Sequence, residues 1–129
     1  MKADWFSAYR GPALSLLRLV AGFNFMSHGL QKTFGFLGGQ TFPALSLAGV
    51  AGYLELIGGT LIMVGLFTRP TGFVLSGMMA FAYFIGHASR GFWPVVNQGE
   101  LASLYFFLFL YFVFSGAGPW SLDALRKRR

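Results

Sequence analysis

Long apolar runs separated by short clusters of glycine, proline and charge set the pattern of this chain. Four runs stand out, over residues 13–31, 47–67, 71–88 and 100–115, each 16 to 21 residues long. That is close to the roughly 17 to 25 residues a helix needs to cross a bilayer. Gly35, Gly38, Gly39 and Pro43 break the first gap, and Arg69 with Pro70 make a tight second turn. Gly91 and Pro94 mark the third gap, and Gly116, Gly118 and Pro119 end the last run. The runs are continuously hydrophobic rather than alternating, which favours helices over barrel strands. The pattern predicts an all-α protein, an integral membrane four-helix bundle.

Composition agrees with that pattern. The chain has 129 residues, room for one domain, with 55% hydrophobic and 11% charged positions and 16 phenylalanines. A mean hydropathy of +0.59 excludes a disordered chain and a soluble nucleic-acid binder, so the net charge of +6 is not a DNA footprint. The 129 residues include no cysteine, so disulfides, thiolate nucleophiles and thiolate-held metals are ruled out, and no metal site is expected. Asp4 and Arg10 precede the first apolar run, Arg18 interrupts it, and no small-residue cleavage site follows, so the chain reads as mature from residue 1. Positive charge is uneven along the chain. Lys2, Arg10, Arg69, Arg126, Lys127, Arg128 and Arg129 fall on one side of a four-span arrangement, and only Lys32 and Arg90 fall on the other. Because basic loops resist translocation, both termini are expected to be cytoplasmic in a bacterial-type inner membrane crossed several times. Arg126 to Arg129 serve either as a headgroup anchor or as a docking tail for an acidic partner.

An ionisable side chain inside a span costs at least about 2.5 to 3.5 kcal/mol on insertion scales, so each is a functional candidate. Arg18, His28 and Lys32 mark the first span, Glu55 the second, His87 the third and Glu100 the start of the fourth. At about 100° per residue, Arg18, Gly22, Phe25, His28, Gly29 and Lys32 share one helix face with the glycines that allow close packing. Gly52, Glu55, Gly59 and Ile62 do the same in the second span, and Gly72, Ser76, Ala80, Tyr83 and His87 in the third. Arg18 and Glu55 are expected to form an intramembrane ion pair, as a structural clasp or a proton relay, with a protonated Glu55 as the alternative. His28, Lys32, His87, Asn97 and Glu100 are expected to gather near the outer edge of the bundle, lined by Phe25, Tyr83 and Phe107. The outer loops are themselves apolar, with Phe34 to Leu37, Phe42, Phe92, Trp93 and Pro94, and need a cover: the interface, the bundle or a partner subunit. At the C-terminus Ser121 is expected to cap a short helix, with Asp123 in its first turn or paired with Arg69.

Five segments, in order, resemble the DoxX family of small four-helix membrane proteins. They are RLVAGFNFMSHGLQK from Arg18, ELIGGTLIMVGLFTR from Glu55, His87 followed by Gly91 and Phe92, NQGEL from Asn97, and GAGPWSLDAL from Gly116. Ala117 stands where the family's closing motif has proline, and residues 33–46 match poorly. The resemblance implies a membrane subunit associated with an oxidoreductase and interacting with quinone, not catalytic alone and with no covalently bound cofactor. Arg18, His28, Lys32, Glu55, Arg69, His87, Asn97, Glu100 and Asp123 match the family's motifs. Quinone reduction needs hydrogen-bond donors, an apolar slot and a proton route, which the outer polar cluster can furnish, while a flavin, haem or thiol partner would deliver electrons. The alternative is a non-catalytic anchor or assembly subunit of a larger complex, with other subunits or copies of itself as partners beside the lipid bilayer. A small proton-coupled transporter is a third reading, weakened by the absence of an inverted repeat.

Overall fold

The computed structural model describes residues 4–128, and no strand occurs among them. Lys2 and Arg129, both counted in the basic asymmetry, lie outside the described residues. The helices are α1 (Arg10–Phe34), α2 (Leu47–Val64), α3 (Thr68–Gly86), α4 (Pro94–Asn97), α5 (Glu100–Ser115) and α6 (Leu122–Lys127). A 3-10 turn over Trp5–Tyr9 leads into α1.

Local chemistry sets the ends. Helix α1 stops at Gly35 and α2 at Gly65, both left-handed at φ 69° and 68°, a conformation in which a side chain is strained. Ser46 Oγ accepts the Gly49 amide at 3.0 Å to start α2, and Ser121 Oγ accepts the Ala124 amide at 3.1 Å to start α6, the cap expected of it. Gly65 ends α2 three residues before the expected boundary, so Arg69 and Pro70 lie in the first turn of α3 and not in a linker. Proline is tolerated there because a first-turn amide has no partner within its own helix.

Antiparallel α1 and α2 pack tightly, as do α3 and α5, and α2 joins the two pairs through α3. The α1–α2 contact runs on glycine. A methyl group at Gly22 would strike the Met63 backbone, one at Gly29 the Leu56 backbone, and one at Gly59 the Met26 backbone. These approaches fix the register, setting Gly29 beside Leu56 and Gly22 beside Met63. Gly72 brings α3 within 2.9 Å (Cβ position to Phe109 O) of α5 in the same manner. Inside lie Phe25, Ile62, Leu75, Phe109 and Phe112. The outward faces are apolar too, including Leu16, Val20 and Phe23 on α1, Phe73 and Phe84 on α3, and Leu104, Phe107 and Phe114 on α5. So much exposed hydrocarbon suits lipid and not water.

Helix α2 and the helical stretch Thr68–Arg90 are long and apolar enough to cross a membrane, with mean hydropathies of 1.7 and 1.3. Helix α5 is apolar but only 16 residues long, and α1 carries Arg10, Arg18 and Lys32 among its 25.

Candidate functional site

Two polar assemblies sit at opposite ends of the helices. At the end that holds the start of α1 and the C-terminal segment, Arg18 is 1% exposed and its guanidinium is filled by carbonyls. Nε donates to Ala117 O at 2.7 Å, Nη1 to Ile62 O at 2.6 Å and to Met63 O, and Nη2 to Trp120 O at 2.7 Å. Ile62 and Met63 are in the last turn of α2, where carbonyls lack helical partners and the helix dipole is negative. Arg18 therefore caps α2 from α1 and ties both to residues 117–120.

The expected Arg18–Glu55 pair is not made. With Gly29 beside Leu56, Glu55 sits level with the far end of α1, about 18 Å along the axis from Arg18 at 1.5 Å per residue. Helix faces were read correctly, but the register that separates the two charges is set by backbone contacts at glycine.

Asp123 sits in the first turn of α6, as expected, and its carboxylate also reaches across to the start of α3. Its two oxygens accept the amides of Phe67 and Thr68, each at 2.9 Å. Phe67 is held at φ 50°, and Arg126 lies 4.6 Å from its ring centroid. Burial pushes the Asp123 carboxyl up, but the Thr68 and Phe67 hydrogen bonds and the Arg126 charge together bring it below the ordinary carboxylate value. The expected Arg69–Asp123 pair is also absent, because Arg69 Nη1 caps α5 through Val113 O and, at 2.8 Å, Phe114 O.

At the other end a cleft of about 680 Å³ lies between α2 and α3, with α1 and α5 behind it. Its floor is polar. Lys32 Nζ meets Glu55 Oε1 at 2.7 Å, with Glu55 almost wholly enclosed and Lys32 about one-third exposed. His28, His87 and Tyr105 line the same space. The walls are Phe25, Leu54, Met78, Met79, Ala82 and Leu101, and the rim includes Val50, Val74, Phe81 and Ile85, all exposed on the outer surface of the helices. The mouth therefore opens sideways, where lipid would lie.

The structure brings together His28, Lys32, Glu55 and His87 of the expected residues and separates the others. Asn97 is fully buried in the α3–α5 connection, donating to Tyr83 Oη at 3.2 Å and Gly91 O at 2.9 Å and accepting the Gly99 amide at 2.8 Å. Its own carbonyl accepts Nδ1–H of His87 at 3.0 Å, so Asn97 positions the histidine without lining the cleft. Glu100 is exposed at the first residue of α5, where a carboxylate suits the helix dipole, and does not reach the cluster. Phe107 points outward and Tyr83 is held by Asn97, so neither lines the cleft. Tyr105 was missed as a lining residue. The i, i+4, i+7 spacing of Tyr105, Phe109 and Phe112 marks the inner face of α5 and could have found it.

Sequence comparison places these features in a wider set. A protein of Haemophilus influenzae described as uncharacterised is 47% identical over 122 residues, covering 89% of this chain and 91% of its own length. An uncharacterised membrane protein of Mycobacterium tuberculosis is 30% identical over 140 aligned positions, covering 92% of this chain and 83% of its own. No solved structure matches at a significant level. The DoxX family model matches residues 13–88, which contain α2, most of α1 and α3, and His28, Lys32, Glu55 and His87 of the cleft. The chain belongs to the DoxX family of small membrane proteins.

Proposed function

We propose that the cleft holds the ring of a lipid-soluble quinone and that the protein is a membrane subunit of a quinone-linked oxidoreductase. In this reading α1, α2, α3 and α5 cross a bacterial-type inner membrane as a bundle with both termini cytoplasmic. One observation carries the reading: an apolar cleft whose mouth faces the lipid side of α2 and α3 ends on a polar floor of Lys32, Glu55, His28 and His87. A quinone lives in the bilayer, enters laterally, needs flat apolar walls for its ring and tail, and needs polar groups at its oxygens. Met78 and Met79 supply adaptable walls and Phe25 an aromatic one. Lys32 offers ammonium protons to a carbonyl oxygen, and the histidines offer a route for protons between ligand and the outer surface. Electrons are carried by a partner subunit bearing a flavin, haem or thiol.

The test is extraction from native membranes in mild detergent followed by native mass spectrometry. A quinone-mass adduct is expected on the wild type and its loss on a folded His28→Leu, His87→Leu double variant. Absence of any adduct, together with no uptake of added quinone, rejects the reading. A second reading, a non-catalytic anchor, is favoured by the outer segment in which Phe92, Trp93, Val95 and Val96 are all strongly exposed. Stoichiometric partner chains without adduct would favour it.

A further inference from the structure

The polar groups of the cleft are unequal in what they can accept and give. His87 gives Nδ1–H to the carbonyl of Asn97, and because a carbonyl only accepts, this bond fixes the tautomer. In the neutral form of the ring this leaves a lone pair on Nε2, and His87 is one of the residues lining the cleft. Glu55 uses Oε1 for Lys32, while its Oε2 is buried and has no partner among the described residues. Buried polar atoms in folded proteins nearly always find a partner, and Glu55 is among the residues that line the cavity, so a turn of its covered carboxylate brings Oε2 to a ligand there. In its ion pair with an ammonium, the carboxylate is an acceptor.

A quinone presents two carbonyl oxygens, which accept only. Such a ring satisfies Lys32 and Tyr105 but sets acceptor against acceptor at Glu55 and His87. A hydroquinone carries hydroxyls that both donate and accept, and so satisfies all of these groups. We infer that the cleft selects the reduced, dihydroxy form of its ring ligand, with Glu55 Oε2 and His87 Nε2 accepting the hydroxyl hydrogens. The inference rests on the quinone reading and adds to it which redox form of the ring the cleft holds more tightly.

The experiment compares a short-tailed p-benzoquinone with its hydroquinone, under nitrogen, by filtration binding to the full chain in lipid nanodiscs. The wild type is expected to bind the hydroquinone about tenfold more tightly, the consequence of one well-made buried hydrogen bond. In Glu55→Gln an amide donor competes for the Oε2 position, so the ratio should fall towards one while the oxidised form still binds and reports an intact cleft. His87→Leu removes the second acceptor, gives the same fall, and stands in if Glu55→Gln does not fold. Equal or tighter binding of the quinone by wild type overturns the inference and leaves the quinone site standing. An unchanged ratio in folded variants at both positions also overturns it. Binding of neither form rejects the inference and the quinone site together.

Discussion

Removing a guanidinium from water costs several kcal/mol unless its donors are met, and Arg18 meets that condition with four backbone carbonyls and no carboxylate. The consequence is specific to arginine. Lysine at this position has one ammonium for oxygens fanned around a planar fork, and methionine has no donor at all. Arg18→Met should cost about 3 kcal/mol or more in thermal unfolding in detergent, because several buried carbonyls lose their partner together, and Arg18→Lys should recover only part of this. Asp123 gives a pH-dependent counterpart. Its folded carboxyl titrates below the ordinary value, so its contribution is fully present above the usual carboxylate pKa near 3.9 and is lost as pH falls through the folded value. Asp123→Ala should destabilise by about 1 kcal/mol at neutral pH, as for a lost helix cap, and the gap from wild type should close on acidification, measured as unfolding midpoints across pH 2 to 7. At this scale the sequence showed that Arg18 and Glu55 turn inward but not what they meet, and it misplaced Glu100, which is exposed. Arg18 and Asp123 are satisfied by backbone groups, which carry no residue signature, and Oε1 of Glu55 by Lys32, a partner visible only once α1 and α2 are set in register.

Register belongs to the helices, and glycine sets it. At Gly29 and Gly59 the two backbones are so close that a single methyl group meets main-chain atoms of the facing helix, with no side chain free to move aside. Gly29→Ala should therefore cost about 1 to 3 kcal/mol of stability through forced separation of α1 and α2. It should also weaken the Lys32–Glu55 contact one turn away. Gly77, in the middle of α3, has open space where a methyl would go, and Gly77→Ala should be neutral or stabilising by up to about 1 kcal/mol, since alanine is the better helix former. Thermal melts of the two variants side by side separate a packing glycine from a dispensable one. Helix existence was legible from apolar runs, and 100–115 coincides with α5. The starts of α1 and α3 were not, because Arg10, Thr68 and Arg69 are polar first-turn residues that look like linker. The small-residue faces were legible as well, because period and residue size both appear in the sequence. That these faces place a polar floor beneath a lateral opening depends on how the two helix pairs are joined, which periodicity does not encode.

For the whole molecule, charge and hydrophobicity divide along one axis. Arg10, Arg69, Arg126 and Lys127 belong to the end where the C-terminal segment folds against α1 and α3, while Lys32, His28, His87 and Arg90 belong to the other. A bilayer sorts such a molecule by its basic end, which stays on the side of synthesis. The absence of cysteine from all 129 positions makes this directly measurable, since any thiol introduced is unique. Leu45 is 97% exposed in the α1–α2 connection and Phe92 is 82% exposed before α4, so a cysteine at either is open to reagent without disturbing the core. Leu45→Cys and Phe92→Cys should react in intact cells with a membrane-impermeant maleimide. Leu125→Cys, on the exposed face of α6 at the basic end, should react only after the cells are opened. Reaction of all three from outside would contradict membrane crossing, and the inverse pattern would place the cleft floor on the cytoplasmic side. The outcome also bears on the chemistry. In the proposed orientation Lys32, His28 and His87 lie at the outer end, and a ligand in the cleft would exchange its protons with the outside, so the sidedness of labelling fixes the side on which this fold would take up or release protons.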